Sequence, residues 1–332
     1  MITPLEHKMK LLRDIKPSMR YDGKEDFHLW QKRLREKLVD LLGLPTMEKC
    51  DPQFKIEYDK TLDDHREIRF TLQSEEGYTF PSVLRLPLGF EGKIPVVICL
   101  QGHSTGFHIS LGQAKFDGDQ GLIAGGDRDF AVRINKEGYA ALAIEQRNFG
   151  ECGGTPQTNC YTSTLNSLLQ GRTTIGERVW DIMTVIDNIG CFDFLDLDKI
   201  YCMGNSGGGT ATYYAACIDE RIKMAMPSCA VCTYKDSIGP LRHCTCNYIP
   251  KSALYFDMGD LAGLIAPRPL IIVNGIGDTS FPHEGVVECF EIAKELYRAA
   301  GAEENCAMVT GPEGHRFYAD LSWPVFKKLE KH

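Results

Sequence analysis

Between Asp26 and Gly43 apolar side chains recur at helical spacing. Leu34, Leu38, Leu41 and Leu42 share one face, and Gly43 with Pro45 stops the run, so residues 5–43 read as a helical, amphipathic arm. The stripe predicts a packing face against the main body, with a dimer contact as the alternative. From Phe54 to Pro87 the period changes to two. Ile68–Leu72 and Thr79–Leu86 alternate on either side of Glu75-Glu76-Gly77, a hairpin signal. Beyond Gly89, short apolar runs alternate with helix-length segments. The strands predicted there are Pro95–Leu100, Tyr139–Ile144, Ile200–Met203, Met224–Cys229, Leu270–Val273 and Cys306–Val309. Such alternation implies an α/β fold: a mostly parallel twisted sheet with N-terminal antiparallel strands and helices on both faces. With no repeat and no Pro/Ser linker, the chain divides into an arm (residues 1–50) and one main domain (residues 51–332). The stretch at about 232–262 reads as an insertion between the sixth and seventh strands.

Composition narrows the function classes. The 332 residues are 43% hydrophobic and 25% charged, enough for one large buried core. The net charge of −8 comes without a basic stripe, which argues against nucleic acid or an anionic membrane as partner. The first residues contain no apolar signal-like run, and no stretch approaches membrane-spanning length. Thirteen cysteines, several inside predicted strands (Cys99, Cys202, Cys229, Cys306), behave there as small apolar side chains. The expectation is a cytoplasmic protein with reduced thiols; a secreted form trimmed of its signal would look the same.

The run Lys199-Ile200-Tyr201-Cys202-Met203-Gly204-Asn205-Ser206-Gly207-Gly208-Gly209 carries the strongest chemical signal. An apolar strand ends in glycine, one serine sits among glycines, and a small-residue helix begins at Thr210. Gly204-Asn205-Ser206-Gly207-Gly208 fits G-x-S-x-G, the turn that lifts a serine hydroxyl out of a strand-to-helix corner. The helix start behind it offers unpaired N–H groups to a developing oxyanion. A phosphate loop or an inert glycine-rich turn would read similarly, so the partners decide.

In an open α/β sheet ligands bind at the carboxyl ends of the strands. After Pro95–Leu100 comes Gln101-Gly102-His103-Ser104-Thr105-Gly106, where the His103 N–H could form an oxyanion hole with that of Gly207. After Leu270–Val273, Asp278 lies in a glycine-loosened loop; the plain alternative is a turn aspartate bonded to its own backbone, and Asp236 is a second candidate acid. After Cys306–Val309, His315 follows two glycines on the last loop before the final helix. His103 and His108 compete as base but precede the serine. The order Ser206, Asp278, His315 is the one expected of a triad on this type of sheet.

With these residues placed, the chain resembles the α/β-hydrolase superfamily, and within it the group of acetyl xylan esterases, cephalosporin-C deacetylases and dienelactone-hydrolase-like proteins. The resemblance also rests on Gln146-Arg147-Asn148-Phe149-Gly150-Glu151, Gly176-Glu177-Arg178-Val179-Trp180-Asp181 and Ala266-Pro267-Arg268-Pro269-Leu270. It implies an α/β-hydrolase fold and a serine carboxylic-ester hydrolase acting on short acyl esters, such as acetylated carbohydrates, without a cofactor. A peptidase, a dienelactone-type hydrolase and a non-catalytic binding protein on the same fold are the competing readings. Two positions depart from the pattern: Gln101 stands where many relatives have histidine, and Asn148 where glycine is usual. Cys229-x-x-Cys232 and His243-Cys244-Thr245-Cys246 look like metal-ligand spacing. Cys229 ends a strand, however, and Cys-x-Cys is a poor geometry for two ligands of one zinc, so no metal is expected. The insertion is expected to cover the pocket, with Gln101, Tyr248, Tyr255 and Phe256 lining it. The expected partner is a small-molecule ester, with a homo-oligomer possible.

Overall fold

The computed structural model describes residues 2–153 and 160–331. Nine strands form one sheet: β1 (Lys55–Thr61), β2 (His65–Glu75), β3 (Tyr78–Pro87), β4 (Ile94–Leu100), β5 (Ala140–Ile144), β6 (Leu195–Asn205), β7 (Ile222–Ser228), β8 (Leu270–Gly275) and β9 (Cys306–Gly311). Their spatial order is β1-β2-β3-β5-β4-β6-β7-β8-β9. The first three pair antiparallel, β3 meets β5 antiparallel, and every pairing from β5 to β9 is parallel.

Both faces of the parallel strands are covered, which is why these segments read as unbroken apolar runs. Alternate residues divide between two cores. Val96, Ile98, Leu100, Cys202, Ala225 and Ile272 face one layer, which receives helices 27–42, 174–188, 207–218, 258–265 and 283–299. Val97, Cys99, Met203, Met224, Met226 and Val273 face the other, which receives helices 130–136 and 319–329.

Two expectations need correction, one about the arm and one about the insertion. The arm is two helices, Pro4–Asp14 and Phe27–Leu42, not one. Pro17 and Gly23 break the chain between them, and Asp26 starts the second helix by accepting from the N–H groups of His28 and Leu29. Its stripe is the packing face expected: Trp30, Leu34, Leu38 and Leu42 are fully buried in the first core. Finally, β1 was not drawn from sequence, so the insertion lies between the seventh and eighth strands. It consists of short turns and the helices Ser252–Tyr255 and Met258–Ile265.

Candidate active site

β6 leads into the helix Gly207–Ile218 through Ser206, whose φ of 57° and ψ of −123° lie where a residue with a Cβ is strained. The strain is held by packing without side chains. A Cβ on Gly204 would lie 2.6 Å from the Gly208 carbonyl carbon and 2.7 Å from the Leu100 oxygen, and one on Gly208 would overlap Leu100. The Ser206 N–H donates to the Ser228 carbonyl at 2.8 Å, and the Ser206 carbonyl accepts from Thr210 N–H at 2.8 Å.

β4 is the immediate neighbour of β6, and its C-terminal loop folds over the serine. A Cβ on Gly102 would lie 2.8 Å from Ser206 Cβ and 2.7 Å from the Asn205 oxygen. The His103 that follows has its ring against Gly207, with Nδ1 3.0 Å from where a Gly207 Cβ would stand. Both amides anticipated for an oxyanion hole therefore belong to segments that touch beside Ser206.

From the other side come the candidate acid and the candidate base. His315 Nδ1–H donates to Asp278 Oδ2 at 2.8 Å, leaving Nε2 as the free ring nitrogen. Asp278 Oδ1 accepts from the N–H groups of Ser280 and Phe281 at 2.8 and 3.1 Å. The turn role and the base-orienting geometry are thus both present, one on each oxygen. Burial opposes the charged form of Asp278, yet the hydrogen bond and charge of His315 and the two amides hold the carboxyl below its usual range. The competitors are engaged elsewhere. Asp236 pairs with Lys235 at 2.6 Å, and His108 is buried against Asp119 at 2.8 Å.

The structure places the residues expected to line the pocket in other contacts. Gln101 is buried, with its amide donated to Ser110 Oγ and the Arg128 carbonyl, so it braces the loop from behind. Phe256 is fully buried in the first core, and Tyr255 lies under Lys37 of the arm. Tyr255 is also tied to the segment between the arm helices through its carbonyl, which accepts from Met19 N–H at 2.9 Å. Tyr248 is 41% exposed and donates its hydroxyl to the Ile238 carbonyl. The aromatics that do touch the candidate residues are Phe281, stacked on His315 at 6.0 Å, and Phe149, edge-on to His103 at 4.9 Å. Nothing in their sequence spacing marked them.

The two polar motifs form a buried layer under this site. Arg147 Nε and Nη2 donate to the two oxygens of Asp181 at 2.9 Å each, and Arg147 also pairs with Glu75 at 2.8 Å. Arg178 donates to the Arg147 carbonyl at 2.9 Å and lies over the Phe149 ring at 4.1 Å. Asn148 adopts a φ of 69°, the left-handed conformation that glycine takes freely and asparagine tolerates.

The metal-like motifs are rearranged. His243 turns to Ser237 and the Ser280 carbonyl, and Cys232 to the Pro282 carbonyl. Cys229 sits beside Asp278 and His315, within the candidate triad. Cys244 and Cys246 instead meet His103 and Cys160.

A family model described as the Abhydrolase family matches residues 5–310. The chain belongs to the Abhydrolase family. It is 28% identical over 258 residues to a Bacillus subtilis (strain 168) protein provisionally named hydrolase YtaP, an alignment covering 76% of this chain and 83% of that protein. Among solved structures it is similar to a protein of Bacteroides fragilis NCTC 9343 provisionally named an acetyl xylan esterase. The TM-score is 0.85, with 16% identity over 100% of this chain and 96% of that one. It is also similar to a glucuronoyl esterase from Solibacter usitatus, with a TM-score of 0.68 and 14% identity, covering 96% of this chain and 98% of that one. At such identities the structural likenesses establish the α/β-hydrolase fold.

Proposed function

We propose that this member of the Abhydrolase family is a serine carboxylic-ester hydrolase working through an acyl-enzyme. The reading rests above all on the Asp278–His315 hydrogen bond, formed between the loops after β8 and β9, on the same sheet edge as the strained Ser206. In it, His315 Nε2 takes the Ser206 proton as Oγ attacks the ester carbonyl, and returns it to the leaving alcohol. Asp278 fixes the Nδ1–H tautomer and stabilises the imidazolium without accepting the proton. The N–H groups of Gly207 and His103 stabilise the oxyanion, after which water repeats the sequence on the acyl-enzyme. A short acyl group on a carbohydrate alcohol is the substrate class we favour, in keeping with the name carried by the Bacteroides fragilis relative.

The test is hydrolysis of p-nitrophenyl acetate, butyrate and octanoate by the wild type and by Ser206→Ala. The reading expects acetate to be preferred and turnover to fall on the order of 10⁴-fold or more on substitution. A preference for octanoate would remove the short-acyl choice alone. Turnover unchanged in Ser206→Ala would sink the mechanism.

A further inference from the structure

We propose that His103, Cys160, Cys244 and Cys246 bind one zinc ion that clamps the oxyanion loop to the insertion. The four candidate donor atoms lie within 4.8 Å of one another. His103 presents Nε2 to the sulfurs, 3.3 Å from Cys246 Sγ and 3.9 Å from Cys160 Sγ. A tetrahedral zinc with its usual bond lengths of about 2.3 Å to sulfur and 2.0–2.1 Å to nitrogen needs sulfur–nitrogen edges of about 3.6 Å and sulfur–sulfur edges of about 3.8 Å. The observed separations bracket that value. Three thiolates and an imidazole also form the donor set that favours zinc over the hard oxygen-seeking cations.

The objection to Cys-x-Cys is removed by the backbone. Cys244 is extended (φ −63°, ψ 142°) and precedes a single 3-10 turn, Thr245–Asn247, which brings the Cys246 sulfur round to the same side. An independent observation comes from Arg178. This guanidinium is buried, and besides the Arg147 carbonyl it donates to Sγ of Cys246 and of Cys160, each at 3.6 Å. None of its hydrogen bonds reaches a carboxylate among the described residues. A buried cation needs a compensating negative charge. Three thiolates with one Zn²⁺ carry a net charge of −1, so Arg178 and the occupied site together are neutral. With three neutral thiols the guanidinium would be uncompensated.

The ligands come from the loop after β4, the first residue of helix 160–169, and the insertion. Cys160 and Cys246 are separated from His103 by 57 and 143 residues. Helix 160–169 and the turn of the insertion already pack on each other, and one ion would tie the loop after β4 to both, holding the residue whose N–H we assign to the oxyanion hole. That last consequence rests on the esterase reading; the metal site does not.

The test uses the full chain, purified with reductant and without chelator, and does not depend on any ester. Elemental analysis is expected to find one zinc per chain. Chelator-stripped wild type should take up one Co²⁺ with the absorption of tetrahedral thiolate coordination. After removal of metal and denaturation without reductant, all thirteen cysteines should titrate as thiols. Cys244→Ser and Cys246→Ser should lose the metal, whereas Cys191→Ser, at an exposed cysteine outside the cluster, should keep it. Zinc below about a tenth of an equivalent with no Co²⁺ uptake by the wild type would overturn the proposal, whatever the folding of the variants. So would eleven titratable thiols, which would reveal a disulfide in place of the site, or full metal retention in both serine variants.

Discussion

At the scale of single residues, the decisive feature is how each polar atom is occupied. Asp278 uses Oδ1 to close its own turn and Oδ2 to hold His315, so the two can be separated by substitution. Asn in its place can keep an acceptor for the Ser280 and Phe281 amides while presenting NH₂ to the ring. That stabilises the wrong imidazole tautomer, with Nδ1 as acceptor and the proton on Nε2. Asp278→Asn should lower kcat about 10⁴-fold, with KM and the thermal midpoint little changed. Steady-state kinetics beside a melting curve decide it: a loss confined to the melting temperature would make Asp278 a turn residue only. Sequence order was enough to propose Ser206, Asp278 and His315 together, because each follows a strand that reads clearly. It could not reveal that Gln101 is turned inward, nor that the substitution of glycine by Asn148 is conservative for a left-handed backbone. The first depends on neighbours from other segments, Ser110 and Arg128, and the second on the backbone conformation of the turn after β5.

Among the elements, those buried on both faces were read best. β4, β8 and the second half of β6, from Ile200, appear as apolar runs because no polar face exists to interrupt them, whereas the exposed Leu197-Asp198-Lys199 hid the start of β6. β1 was overlooked for the opposite reason. Its side chains, Lys55-Ile56-Glu57-Tyr58-Asp59-Lys60-Thr61, are almost all exposed, and it borders the sheet, where charge discourages further pairing. The helix Phe27–Leu42 shows what an amphipathic stripe can and cannot disclose. Its periodicity announces a buried face, but not that the face belongs to the same core as the nucleophile helix. Trp30 fills that contact. It is fully buried, donates Nε1–H to the Met19 carbonyl at 2.8 Å, and lies so close to Gly263 that a Cβ there would be 2.5 Å from its ring. Trp30→Ala should destabilise the fold by about 3–5 kcal/mol, measured by chemical denaturation. A change under about 1 kcal/mol, within the range of ordinary surface substitutions or little beyond it, would mean that the arm is not integral to the core.

Across the whole molecule, the loops that carry the candidate chemistry rest on one another through buried polar groups, and Glu145 is where two of them meet. It follows β5, and its carboxylate accepts from Phe107 N–H at 3.2 Å and Glu151 N–H at 3.2 Å. It thereby joins the loop that contains His103 to the loop that contains Phe149. Gly106 and Gly150 pack directly on it, where any Cβ would collide with the carboxylate. Burial pushes Glu145 up to about 8; the amides of Glu151 and Phe107 pull down and the Glu151 charge pushes up, while Arg69 pulls down from further away. The sign of the consequence follows from proton counting. Between its ordinary value near 4.5 and about 8, the unfolded chain has lost this proton and the folded chain keeps it, so stability falls as pH rises through that window. Above about 8 both states are ionised and the loss is complete. Other groups titrate over the same range, so the informative quantity is the difference between wild type and Glu145→Gln. The amide retains an acceptor and cannot ionise. Relative to wild type, the variant should gain stability from about pH 5 to pH 8, by an amount on the order of a few kcal/mol. Urea denaturation at a series of pH values measures it, and parallel profiles for the two proteins would show that Glu145 is already ionised in the fold. A gain at high pH would instead identify a carboxylic acid kept neutral to join the two loops, a junction that no local pattern in the sequence could announce.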